Sequence, residues 1–152
     1  MKREENTPRT ARIMLGPMLA LLLAAGLSGC AALSPYSATS YQQLTQLKAF
    51  HLMFIDEFTS ETPQLLDQAK LAAESGAGEL KFREAEEYSV GLKDTSRTYN
   101  IQVLHRMFEN NLAWLQEGNS FSKTNAGEQK TVLQSAYDQA IRGETVRTGA
   151  SK

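Results

Sequence analysis

The sequence has few of the residues from which catalytic and nucleic-acid sites are usually built. It contains one cysteine, two histidines and one tryptophan in 152 residues. A single thiol excludes a disulfide framework within the chain. Basic and acidic residues number 16 and 17, so the chain has no basic excess to neutralise phosphates. A nucleic-acid partner is therefore not predicted.

The groupings needed for nucleophilic or acid–base catalysis are also missing from the sequence. It has no Gly-x-Ser-x-Gly turn and no glycine-rich phosphate loop. Adjacent carboxylates such as Asp56 and Glu57 point in different directions on a helix, because neighbouring residues there do not share a face. We therefore predict no catalytic residues, and a protein that is not an enzyme.

The first 29 residues have the composition of an export signal. Four basic residues within positions 2–12 precede an apolar run of 14 residues at positions 13–26. As a helix this run would span roughly 21 Å, which is short of the roughly 30 Å hydrocarbon core of a bilayer. Residues 1–29 are thus predicted to be a removable signal peptide.

The four residues Leu27-Ser28-Gly29-Cys30 directly follow the apolar run. Together with residues 1–26, this segment resembles the signal peptide and lipobox of bacterial lipoproteins. The resemblance implies recognition of these four residues by signal peptidase II and cleavage before Cys30. It also implies a diacylglycerol on the Cys30 thiol and a fatty acid such as palmitate on the new amino group. In a Gram-negative cell, Ala31 after the cysteine favours the outer membrane, facing the periplasm.

The mature chain would then consist of a lipid-anchored tether, a folded domain and a tail. Residues 30–39 include Pro35 and small polar residues, and we predict a lipidated flexible tether here. Residues 40–142 are predicted to form one helical domain, and residues 143–152 a flexible C-terminal tail. Without residues 1–29 the chain loses four basic and two acidic residues, so its net charge is −3.

Hydrophobic periodicity predicts an all-α bundle of four to five short helices. The first helix begins near Ser40, and its apolar stripe includes His51. Glycines 76 and 78 are expected to end the second helix, and Gly143 the last. Gly91 and Asp94 favour a break within residues 79–117, although one long helix is the alternative. The predicted helices cover about 40–58, 62–75, 79–93, 97–117 and 127–141.

Three residues are candidate metal ligands, although we predict no metal site. His51 lies in the apolar stripe of the first helix, and His105 borders that of the helix at 97–117. Glu109 follows His105 by four residues and therefore shares its helix face. The two imidazoles could bind a metal or haem if these helices are neighbours. The favoured interpretation is that both are histidines at the edge of the core.

The leading functional hypothesis is a membrane-anchored envelope lipoprotein that acts as a non-enzymatic accessory module. Its partners would be the bilayer, through Cys30, and an envelope protein, with no cofactor beyond the covalent lipid. The alternative is a bundle that binds a small ligand, metal or haem through His51 and His105. Candidate surface residues for a protein partner are Trp114, Tyr137, Phe121, Leu52 and Met53.

Overall fold

The predicted all-helical architecture is confirmed. The computed structural model describes residues 34–60 and 66–147, and the structural findings below concern this part of the chain. It contains four helices, α1 (Ala38–Glu57), α2 (Gln68–Gly91), α3 (Thr95–Gln116) and α4 (Lys123–Val146). Each begins after a polar residue whose side chain accepts backbone N–H bonds of the first turn. These N-caps are Ser37, Asp67, Asp94 and Ser122.

The four helices run up and down around one core. The first helix packs on α2 and α4, and α3 packs on the same two. This is the arrangement of an antiparallel four-helix bundle. We call the end at which α1 and α3 begin the tether end, and the opposite end the far end. None of the described helices is both long and apolar enough to cross a membrane.

Aromatic rings fill the centre of the bundle. The ring of Phe54 on α1 lies 4.9 Å from that of Phe108 on α3, and Phe108 lies 5.4 Å from Phe82 on α2. All three side chains are buried. Burying a side chain of this kind contributes roughly 1.5–3 kcal/mol. The far end is closed by a short backbone bridge, in which the N–H of Phe121 donates to the carbonyl of Phe58 at 3.1 Å.

The predicted helix end at residues 75–78 is wrong, because α2 continues through both glycines to Gly91. Gly78 is buried against α1 and α3. A Cβ atom at this position would lie 2.4 Å from Cζ of Phe108 and 2.9 Å from Cε1 of Phe50. Gly78 thus lets three helices approach closely and does not end one. The predicted start of this helix, near residue 62, lies outside the described residues, and α2 begins at Gln68 after the N-cap Asp67.

The predicted break after Gly91 is present. The second helix ends at Gly91, and the side chain of Asp94 caps the start of α3. Between them, Lys93 adopts a left-handed conformation with φ of 55°. Residues 79–117 are consequently parts of two helices joined by a tight turn.

Both predicted ends of the folded domain differ from the structure. The fourth helix passes Gly143 and ends at Val146, and Glu144 and Arg147 are buried. At the other terminus, residues 38 and 39 belong to α1, and Ser37 is its N-cap. Contacts between residues distant in sequence cause both differences, because residues 34–37 and 144–147 hold each other in place. Residues 30–33 and 148–152 lie outside the described part.

Candidate functional site

Four charged side chains meet inside the tether end, and we call them the tether clamp. They are Asp94, Arg97, Glu144 and Arg147, and none is more than 6% exposed. Arg97 donates from Nε and Nη2 to the two carboxylate oxygens of Glu144, at 2.8 and 2.6 Å. Asp94 Oδ2 lies 3.0 Å from Arg97 Nη1 and also accepts from Arg147. Two cations and two anions therefore compensate each other away from water.

Hydrogen bonds within the tether clamp favour the charged forms of Asp94, Arg97 and Glu144. Burial acts to raise the pKa of Asp94, but hydrogen bonds from Arg147 and from the Arg97 backbone outweigh it and lower the pKa to about 2. At Glu144, burial also acts to raise the pKa, but hydrogen bonds from Arg97 and from the Ser37 backbone outweigh it and lower the pKa. The same bond to Glu144 raises the pKa of Arg97. Charged hydrogen bonds of this kind are stronger than neutral ones.

The tether clamp holds the chain that precedes α1. Arg97 Nη2 donates to the Pro35 carbonyl at 2.5 Å, and Arg147 Nη1 to the Ser34 carbonyl at 3.2 Å. The backbone N–H of Ser37 donates to Glu144 Oε1 at 2.7 Å. Residues 34–37 are therefore attached to the start of α3 and the end of α4. The first of them, Ser34, follows Cys30 by four positions. Composition alone predicted a flexible segment here.

His51 lies in the core, at the centre of a hydrogen-bonded group. Its Nε2 accepts from the side-chain amide of Asn111 at 3.1 Å. Its Nδ1 therefore carries the proton and donates to the hydroxyl of Tyr137 at 3.3 Å. Burial lowers the pKa of His51 to about 4 and raises that of Tyr137. Both ring nitrogens are used within the core, where the imidazole is neutral.

His105 belongs to a different cluster, on the surface of α2 and α3. Its Nε2 donates to Oε2 of Glu79 at 3.1 Å, and its ring stacks on Phe82 at 4.7 Å. Potential ligand atoms of Glu79, His105 and Glu109 all lie within 4.8 Å of one another. The structure thus brings together His105 and Glu109, but His51 has its own partners. Glu79 was missed because it lies on another helix, 26 residues before His105.

A surface groove between α3 and α4 contains the tryptophan. This Trp114 groove has a volume of about 380 Å³ and is lined by Met107, Asn110, Asn111, Trp114, Phe121, Asn125 and Gln129. Trp114 is 45% exposed, whereas Phe121 in the same lining is buried. A cavity inside the tether end, by contrast, measures only about 20 Å³. Ligand pockets usually measure about 300–1,000 Å³, so the groove is large enough for a ligand and this cavity is not.

Only some of the residues predicted to form a partner surface are exposed in the structure. Trp114 and Met53 are exposed, at 45% and 62%, while Phe121 and Tyr137 belong to the core. Leu52 packs partly against that core. The predicted lipidation site Cys30 and its recognition residues 27–29 lie outside the described part of the chain.

Comparisons of the chain with protein-family models, with curated proteins and with solved structures gave no match. Functional inference therefore depends on the residues and geometry of this chain.

Proposed function

We propose that the chain is a bacterial envelope lipoprotein, anchored by lipid on Cys30, whose helical domain is a non-enzymatic module for another envelope component. The anchor rests on residues 1–30, where an export signal ends in Leu27-Ser28-Gly29-Cys30. Two acyl chains or more make such an attachment stable, since each buried methylene adds about 0.8 kcal/mol.

The tether clamp is the observation that best supports a module held at the membrane. It fixes Ser34 and Pro35 to the bundle by their carbonyl groups. Four residues span at most about 14 Å, so the backbone of the lipidated Cys30 could lie no farther than that from the backbone of Ser34. A domain attached in this way stays beside the bilayer with its tether end nearest to it.

The Trp114 groove is our candidate contact for a protein partner. Its polar lining includes the amides Asn110, Asn125 and Gln129, which can both donate and accept hydrogen bonds, whereas the amide of Asn111 is buried and donates to His51. Tryptophan and methionine are enriched at protein interfaces. The groove lies toward the far end, so a partner could reach it while the tether end faces the membrane.

Replacing Cys30 with Ser tests the anchor. The native precursor should yield a membrane-bound protein that begins at residue 30 and carries a diacylglycerol, as measured by intact-mass spectrometry. The Cys30→Ser variant should remain uncleaved. Ser28→Ala, which keeps a small residue in the recognition segment, is the matched control and should mature normally. A Cys30→Ser variant that is processed like the native protein would refute the anchor.

Purifying the protein from gently solubilised envelopes, together with any proteins bound to it, tests whether the groove is a contact for a partner. A stoichiometric protein partner should accompany the native protein and should be at least severalfold depleted with Trp114→Ala, because tryptophans often dominate binding energy. Leu80→Ala is the control, since Leu80 is 57% exposed on α2, outside the groove. Equal recovery with both variants would exclude the groove as the contact.

A second candidate function, metal binding, is favoured by one observation, the cluster of Glu79, His105 and Glu109. One imidazole and two carboxylates form a set that Zn²⁺ accepts. The stacking of His105 on Phe82 fixes the orientation of its ring. This candidate replaces the predicted pairing of His51 with His105.

Calorimetric titration with Zn²⁺ tests the second candidate. Loss of an outer partner alone costs about 10- to 100-fold in metal affinity, so His105→Ala should weaken binding by at least that much. Glu84→Gln removes an exposed carboxylate of α2 outside the cluster and should leave affinity unchanged. Equal affinities in the native protein and His105→Ala would exclude this site.

A further inference from the structure

Exposed apolar side chains are concentrated at the tether end. Among the described residues, ten large hydrophobic side chains are exposed, and six of them lie there. The most exposed are Val146 at 70% and Tyr99 at 62%. The six are Tyr36, Tyr41, Val90, Leu92, Tyr99 and Val146. Scattered apolar residues are normal on protein surfaces, but a grouping at one end indicates a contact.

Among the described residues, those at the outermost part of the tether end expose positive charge but no carboxylate. Within residues 34–41, 90–99 and 141–147, the exposed charged residues are Lys93 and Arg142. The carboxylates in these ranges, Asp94 and Glu144, are buried in the tether clamp. The outermost tether-end surface is thus apolar and cationic, because the clamp buries its carboxylates. An exposed carboxylate, Glu87, follows one turn farther along α2.

A surface groove crosses this end between the last turn of α2 and the first turns of α3. It has a volume of about 530 Å³, and its lining includes Val90, Lys93, Thr98 and Tyr99. Lys93 reaches the surface at the tight turn between the helices, where its φ is 55°. An ammonium group therefore stands beside exposed aromatic and aliphatic carbon.

We propose that the tether end docks on the lipid bilayer through a bilayer face formed by Tyr36, Val90, Leu92, Lys93, Tyr99 and Val146. This inference rests on the proposed lipid anchor, which places Ser34 within about 14 Å of the lipidated residue. Tyrosines favour the membrane–water interface, and exposed lysines attract anionic headgroups. The lipid would then hold the domain upright, with the Trp114 groove turned away from the membrane.

Tryptophan quenching by brominated lipids measures this orientation, because bromine on acyl chains quenches only nearby indoles. The native lipidated protein has one tryptophan, Trp114, about 22 Å along α3 from Tyr99 at 1.5 Å per residue. The comparison variant carries Tyr99→Trp and Trp114→Phe. Both proteins are reconstituted in vesicles of phosphatidylethanolamine and phosphatidylglycerol, with and without brominated chains.

The emission of Tyr99→Trp should fall at least twofold in brominated vesicles, whereas that of native Trp114 should not change. Val146→Trp with Trp114→Phe is a second probe of the same face and should behave like Tyr99→Trp. Unquenched probes at both positions would show a domain that stands off the bilayer and would overturn docking. Equal quenching of Trp114 would mean a domain lying on its side, which also overturns it.

Flotation of the same vesicles separates failure of docking from failure of the anchor. If the protein floats but the probes are unquenched, docking is wrong and the anchor stands; if it does not float, both are wrong.

Charge reversal adds a check on the bilayer face itself. Lys93→Glu should reduce the quenching of Tyr99→Trp at least twofold, whereas Lys70→Glu, exposed at the far end, should not. Equal quenching in both would exclude Lys93 from the contact.

Discussion

The two ends of the bundle differ in whether their acidic side chains are buried or exposed. The tether end buries two arginines and two carboxylates in the tether clamp and leaves apolar groups on its surface. The far end keeps its charges exposed, with Asp56, Glu57, Asp67 and Glu117 all at the surface. It is closed instead by the backbone bridge between Phe58 and Phe121. The same fold therefore has one end with a largely apolar surface and one with a charged surface.

This difference shows what a buried ion network can contribute besides stability. Replacing such networks with apolar residues is often neutral or stabilising, so stability alone does not explain their presence. The tether clamp also fixes residues 34–37 and withdraws negative charge from the surface. Both effects depend on Asp94 and Glu144 being ionised but not exposed.

Removing one member of the tether clamp is expected to have the largest effect. Arg97→Ala leaves Glu144 buried without its bidentate partner, which should cost about 3–5 kcal/mol of unfolding free energy. The far-end counterpart is Lys130→Ala, which removes an exposed pair with Asp56 at 2.5 Å. Such pairs contribute about 0–1 kcal/mol. Urea unfolding of both variants measures the contrast, and equal losses would refute it.

The paired variant Arg97→Met with Glu144→Leu separates the charge from the packing. Apolar replacement of both partners should recover most of the stability lost in Arg97→Ala. It should not recover the attachment of residues 34–37, because no donor then remains on Arg97 for the Pro35 carbonyl. Hydrogen exchange at the Ser37 N–H, which donates to Glu144, is the readout and should accelerate.

The middle of the bundle and the tether end should respond to acid in different pH ranges. His51 has its pKa lowered to about 4 by burial, from 6.5. The unfolded chain therefore binds a proton more readily, and stability should decline by about 3 kcal/mol as the pH falls from about 6.5 to 4. The contribution of Asp94 is present above its unfolded pKa of 3.8 and is lost as the pH falls through about 2.

Unfolding free energies measured from pH 7 to 2 test this separation. His51→Gln should flatten the slope between pH 6.5 and 4, whatever its effect on stability at pH 7. His105→Gln is the matched control, because His105 is partly exposed and lies outside the core network. If the slope were unchanged in His51→Gln, another group would be responsible for the acid sensitivity.

Gly76 and Gly78, two of the three glycines of α2, should respond oppositely to alanine. Gly78→Ala places a Cβ atom 2.4 Å from Phe108, and overpacking of this kind costs about 1–3 kcal/mol. Gly76→Ala meets no atom within 4 Å and should gain up to about 1 kcal/mol from helix propensity. Thermal unfolding compares the two variants directly. Equal changes in Tm would refute the packing role assigned to Gly78.

Sequence patterns predicted what is local in this fold and missed what depends on distant contacts. Apolar spacing predicted the all-helical class, and Asp94 predicted the start of α3. The role of Gly78 was missed, because it depends on Phe50 and Phe108 from two other helices. The i,i+4 spacing places His105 and Glu109 side by side on α3, but Glu79 joins them across a helix interface. Long-range pairing likewise explains why the folded ends at Ser34 and Arg147 were misplaced.

The smallest expected difference in stability between the two ends concerns substitutions in their tight turns. Both turns contain a left-handed residue, Lys93 at the tether end with φ of 55° and Gly118 at the far end with φ of 85°. A side chain in this conformation costs roughly 1–2 kcal/mol, so Gly118→Ala should destabilise the protein by about that amount. Lys93→Gly removes the same strain, and should gain up to about 1 kcal/mol after the entropy cost of glycine.

Chemical unfolding of these two variants tests whether Lys93 is kept for a reason other than stability. A more stable Lys93→Gly variant would show that the tether-end turn is strained by the lysine and that the lysine does not stabilise it. Strained residues of this kind tend to occur at functional positions. Lys93→Asn is the control, because asparagine tolerates the left-handed region and lacks the charge. A loss of stability in Lys93→Gly would instead show that the lysine side chain is needed for the turn itself.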